Sequence, residues 1–123
     1  MDTIVVITVE HLPSRALGCY GNPANPTPHL DEFAEEAVQF PNCTVPSPLC
    51  VASRVAFHTG RYPSVTGSRD NTLLLQPKEE FHLPGLLSTA GYHCGLFGKN
   101  HCFPDTNAAG FEEVIEESPL RQQ

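Results

Sequence analysis

Basic residues are scarce in this sequence: seven Lys and Arg stand against fourteen Asp and Glu, for a net charge of −7. The acids cluster in DEFAEEA and FEEVIEES with no basic stripe to offset them, which excludes broad nucleic-acid binding. A C-x-x-C pair is missing and the five cysteines are an odd number, so a complete disulfide framework is excluded. Reduced thiols are the simpler reading. No apolar run approaches the length of a transmembrane helix. MDTIVVITVE has neither a basic amino-terminal region nor an apolar stretch long enough for a signal peptide. The chain as written is therefore expected to be soluble, untargeted and cytoplasmic, with no membrane partner.

Punctuation is abundant by contrast. Twelve prolines and nine glycines in 123 residues fall between apolar runs and predict a chain rich in turns and loops. A hydrophobic content of 40% and this length suit one domain with a modest core. TIVVITV is a continuous β-branched run, the pattern of a strand buried on both faces. EHLPSRALGCYGNP then places polar residues at the strand's carboxyl end, with a short helical turn stopping at Gly18 or Gly21. In open α/β sheets that end is where ligands bind.

TPHLDEFAEEAVQF predicts a helix from Pro28, with Leu30, Phe33, Ala34 and Ala37 at helical spacing and acids placed to favour the dipole. VQFPNCTV reads as a second strand, and SPLC as a loop into the helix VASRVAFHTG, which Gly60 ends. RYPSVTGSRDN reads as loop. TLLLQPKEEFHLPGLLSTAG holds a further helix, with Pro84 near its first turn and Gly91 just past its end. YHCGLFGKNH supplies a strand around His93 to Phe97, and the tail AAGFEEVIEESPLRQQ a last short one. This order predicts an α/β fold, a mixed sheet flanked by helices. Its edge lacks a covering helix, so the domain is expected to be incomplete: an exposed apolar edge or face awaits a carboxyl-terminal part or another chain.

Three strand exits bring Glu10 and His11, then Cys50 and Arg54, then Lys99 and His101. Each has an ordinary reading alone: Cys50 as a buried thiol, Arg54 and Lys99 as surface charges, a histidine as packed or solvated. Their joint placement predicts an anion site. Cys50 heads a helix, where free N–H groups favour an anion, and Arg54 stands one turn on.

The segments IVVITVEHL, ALGCYGNP, TPHLDEFAEEAVQFPNCTV, SPLCVASRVAFHTGRYP and LPGLLSTAGYHCGLFGKNH run, in order, along nearly the whole chain. With them the sequence resembles the amino-terminal part of the sulfatase family in the alkaline phosphatase superfamily. C-x-A-S-R followed by T-G-R-Y-P is the most specific match, a variant of the family's usual C-x-P-S-R. The resemblance implies that residues 1–123 are the amino-terminal part of a catalytic domain of alkaline-phosphatase-like fold. It implies a sulfate ester substrate, and a formylglycine-generating enzyme that oxidises Cys50 to formylglycine, which forms a covalent sulfate ester and then releases sulfate. The position of Arg54 implies support of the formylglycine. Those of Lys99 and His101 imply contact with sulfate oxygens and the formylglycine hydroxyl, where spread negative charge develops. A divalent metal, calcium by family, is implied at Glu10, His11 and Cys50.

The sequence departs from the family at that metal. Two adjacent ligands, usually Asp-Asp or Asp-Gln, are here Glu10-His11, and imidazole suits a hard ion poorly. Proline is replaced by Ala52 in the signature. Family members are several times longer, so the chain alone is expected to supply part of the metal shell. Other readings stay open: an inactive, sulfatase-like anion-binding relic; a phosphonate or phosphate ester hydrolase of the same superfamily; and zinc held by His93-Cys94 and His101-Cys102, although neighbouring strand residues point to opposite faces.

Overall fold

The computed structural model describes residues 2–24, 26–72, 74–75 and 81–116. The chain divides into two units, Met1–Thr44 and Val45–Gln123.

In the first unit two 3-10 turns, Ser14–Ala16 and Gly18–Tyr20, precede helix α1, Pro28–Glu36. Gly21, in the left-handed region at φ 89°, closes the second turn by donating its N–H to the Gly18 carbonyl. Pro28 opens α1 where a missing N–H costs nothing. Asp31 in its first turn ties helix and turn together, accepting the Cys19 N–H at 2.6 Å and the Thr27 hydroxyl at 2.8 Å. Chiefly the Thr27 hydroxyl holds the Asp31 carboxyl below its ordinary value. A Cβ on Gly18 would collide with this carboxylate, so the turn can approach α1 only at glycine.

Two sequence expectations fail here. Thr3–Val9 and the VQFPNCTV segment form no strand, and Ile4, Val5, Val6, Ile7 and Val9 are exposed, Ile7 by 83%. The physical reason is supply: a β-branched run becomes a strand when neighbours take its N–H and C=O groups and cover its faces. Among the described residues the first unit contains no strand to do so. Likewise Leu30 and Phe33 of α1 are spaced for burial yet exposed.

The second unit carries the core. Helix α2, Cys50–Thr59, buries Val51, Ala52, Val55, Ala56 and Thr59, a stripe at helical spacing. Gly60, left-handed at φ 66°, ends it as expected, its N–H donating to the Ala56 carbonyl. A short helix α3, Pro63–Thr66, corrects the reading of residues 61–71 as loop throughout. The combination of Pro63 at the first position and Gly67 in the left-handed region at φ 77° is enough to close one turn. Helix α4, Leu83–Thr89, starts with Pro84 in its first turn, and the buried His82 caps it, Nδ1 accepting the Gly85 N–H at 3.1 Å.

Strands β1, Gly95–Gly98, and β2, Glu113–Glu116, pair in parallel with Gly95 opposite Glu113 and Gly98 opposite Glu116. Of the expected mixed sheet, this two-stranded parallel pair is what the described residues form. The rest of the tail, 117–123, lies outside them. Residues 99–112 connect the two strands and fold back into the core: Cys102, Phe103, Ala109 and Phe111 pack with Val51, Val55, Leu75 and Cys94 in one buried cluster. Phe103 meets Phe111 edge-on at 5.7 Å between ring centroids, an arrangement aromatic pairs favour. Among the described residues no helix is long and apolar enough to cross a membrane.

Candidate functional site

Cys50 is the first residue of α2, half-buried and not in a disulfide. Leu49, the residue before it, offers no side-chain cap. Asn71 does that work from the other side of the loop, its Oδ1 accepting the Val51 N–H at 3.0 Å. The amino end of α2 is thus pinned by a residue twenty positions away, which fixes where Cys50 starts.

Arg54 and His58 follow Cys50 at intervals of four, so the three residues line one face of α2 beside the buried stripe. Arg54 lies close enough to the Cys102 thiol and the His58 ring for its charge to act on both. Burial pushes the Cys102 thiol up to about 12, with Arg54 pulling partly against it. Burial chiefly, with His82 and Arg54 adding, pushes His58 down to about 4. The His58 ring lies 4.8 Å from that of Phe103 and 5.1 Å from that of Phe57, and its Nδ1 is buried without a hydrogen bond.

Lys99 and His101 flank the exit from β1, Lys99 exposed and His101 half-buried. His101 is left-handed at φ 49°, a conformation that non-glycine residues adopt sparingly. Between them Asn100 is buried and fully hydrogen-bonded. The segment after it joins the α2 packing through Cys102 and Phe103, so the second unit gathers Arg54 and the K-x-H segment into one neighbourhood.

Glu10 and His11 stand on a turn of the first unit, His11 also left-handed at φ 57°. Among the described residues no three of His, Cys, Asp and Glu come together to hold a metal ion. The chemistry of the Glu10-His11 pair is mixed: the Glu10 carboxylate offers the oxygen a hard ion such as calcium takes, and the His11 imidazole suits it poorly. The zinc pairs do not converge either. The His93 ring faces outward to Glu112 and Glu113, at 3.3 and 4.0 Å, while the Cys94 thiol turns inward to the Pro84 carbonyl at 3.8 Å.

Sequence reasoning missed three residues of this neighbourhood. His58 was legible as the third member of the Cys50, Arg54, His58 series. Asn100 stood at the unassigned position of K-x-H, and Asn71 carried no local signal because its partner is remote in sequence.

The sulfatase family model matches residues 2–123. An ulvan-active sulfatase of Formosa agariphila is 40% identical over 98 residues, 80% of this chain and 19% of that protein. Human arylsulfatase A is 38% identical over 103 residues, 80% of this chain and 20% of its own length. An arylsulfatase of Clostridium perfringens is 33% identical over 112 residues, covering 91% of this chain and 23% of the relative. The chain spans about a fifth of the length of these relatives. With the signature cysteine at the head of a formed helix and the match running from residue 2 to residue 123, the chain belongs to the sulfatase family.

Proposed function

We propose that residues 1–123 form the amino-terminal part of a sulfatase catalytic domain that hydrolyses sulfate esters through formylglycine at Cys50. The family match over residues 2–123 carries this reading. The half-buried Cys50, outside any disulfide and at a helix amino-terminus, fits the modification. Formylglycine supplies a hydrated aldehyde, one hydroxyl of which displaces the alcohol from sulfur while the other expels sulfate, a route closed to an unmodified thiol. The residues of this chain then do the rest. The positive end of the α2 dipole and the Arg54 guanidinium favour an anion beside Cys50. Lys99 and His101 stabilise the charge that spreads over the sulfate oxygens in the transition state. No step is assigned to a metal, because the His11 imidazole suits a hard ion such as calcium poorly.

Co-expression with a formylglycine-generating enzyme and mass spectrometry of the Cys50 peptide test this. Conversion to the aldehyde lowers its mass by about 18 Da, the difference between thiol and aldehyde. Cysteine left unmodified throughout overturns the reading. The purified 123-residue chain is expected to turn over no aryl sulfate above a Cys50→Ala control, since it carries only part of the length of its relatives. The Glu10-His11 pair favours a second reading, a non-catalytic member that keeps the anion site. Unmodified Cys50 together with retained sulfate binding would establish it.

A further inference from the structure

We propose that Asn100 is the positioning residue that sets Lys99 and His101 for their work on sulfate, an inference that rests on the function proposed above. The whole capacity of its carboxamide is spent on the loop around it. Oδ1 accepts the Cys102 N–H at 3.1 Å and the Phe103 N–H at 2.8 Å. Nδ2 donates to the Phe103 carbonyl at 2.6 Å and to Glu116 Oε1 at 3.2 Å. A primary amide offers two donors and one oxygen with two lone pairs, so nothing is left over.

These bonds bend the backbone back on itself directly after residue 100. The residue inside the bend is His101, and it is the residue held at φ 49°. Two anchors keep the bend from drifting. Glu116 is the last residue of β2 and stands opposite Gly98, so its bond to Asn100 ties the loop to the sheet end it has just left. On the far side Cys102 and Phe103 are buried in the core, and the Cys102 carbonyl accepts the Leu75 N–H at 3.0 Å. Left-handed backbone at a non-glycine residue persists only where its surroundings over-determine it. Here the over-determining group is one side chain, placed between the two residues whose direction the chemistry needs.

A double-mutant cycle on the 123-residue chain tests the coupling without relying on turnover. His101→Gly removes the cost of the left-handed conformation, so it is expected to raise the thermal midpoint of the wild-type chain. In an Asn100→Ala background the bend can relax, and the same change is expected to give no rise. An equal rise in both backgrounds overturns the proposal. A spectroscopic arm reads the backbone directly: the one-bond Cα–Hα coupling of His101, which distinguishes positive from negative φ, is expected to change in Asn100→Ala and in Asn100→Asp. The aspartate loses both Nδ2 bonds and sets an oxygen against the Phe103 carbonyl and the Glu116 carboxylate. Should the alanine variant fail to fold, an unchanged left-handed signature in Asn100→Asp still overturns the assignment. Titration with sodium sulfate links the bend to function: Asn100→Ala and Lys99→Ala are each expected to weaken binding at least tenfold, and unchanged affinity in Asn100→Ala counts against the proposal. A wild-type chain that binds no sulfate overturns the function on which the proposal rests, while the backbone arms still decide what Asn100 does to His101.

Discussion

Acid should loosen the second unit through His58, and the size of the effect follows from where its ring sits. In the unfolded chain the imidazole takes a proton near its ordinary 6.5; in the folded chain burial, aided by His82 and Arg54, delays this to about 4. The unfolded state thus binds the extra proton first as pH falls. The stabilisation from a neutral His58 is complete above about pH 6.5 and is lost as pH falls through about 4. At about 1.4 kcal/mol per pH unit the gap corresponds to about 3 kcal/mol, reduced to about 2–3 kcal/mol by water at the open side of the half-buried ring. That is a large share of the stability of a small unit.

Urea unfolding followed by circular dichroism, run between about pH 7.5 and about pH 4.5 on wild type and His58→Leu, isolates this contribution. Leucine fills the space against Phe57 and Phe103 and cannot titrate. The wild-type chain is expected to lose stability relative to the variant across that range, because carboxylates such as Asp31 titrate in both and cancel. Parallel pH profiles for the two chains, or a His58 ring resonance titrating near 6.5, would refute the reasoning.

Alkylation with iodoacetamide near neutral pH should mark the exposed Cys43 and spare Cys102, buried and pushed up to about 12; equal labelling of the folded chain would contradict that burial. Asn71→Ala removes the acceptor for the Val51 N–H and should cost about 1 kcal/mol in urea unfolding, with no loss if the amino end of α2 finds another cap. His82→Ala strips both the cap of α4 and the ring 5.3 Å from Phe103, and should cost about 2 kcal/mol, more than Asn71→Ala, by the same measurement.

Local signals carried much of this structure. Gly60 after VASRVAFHT and Pro84 ahead of the LLST run are punctuation that acts within one helical turn, and the helices form where such marks predict. The strand at Gly95–Gly98 likewise follows its own short apolar run. Residues 3–9 show where a local pattern stops deciding structure. Their β-branched pattern states what the segment needs, namely two neighbours and two covered faces, but a sequence does not state whether the neighbours are supplied. At the site the same division holds. Cys50, Arg54, Lys99 and His101 were singled out by their joint placement and by the family resemblance, while Asn71 and Asn100 bond across loops and strand ends that periodicity does not describe.

The two groups of candidate residues differ in how they are held. Cys50, Arg54, Lys99 and His101 belong to a unit with its own buried cluster, and the caps and carboxamide bonds that aim them all lie inside it. Glu10 and His11 belong to a unit in which no described residue is buried. Fixed dipoles and charges stabilise a transition state only to the extent that packing pays their orientation in advance. Anion handling around Cys50 is therefore the part of the proposed function that packing would prepare, whereas among the described residues the left-handed turn at His11 is held by no buried core. Of the two departures from the family at this site, the Glu10-His11 pair thus falls on the side with the least structure to aim it. Ala52 falls where packing is tightest: it is fully buried in α2 two residues after Cys50, so the smaller side chain in the signature is accommodated by the core.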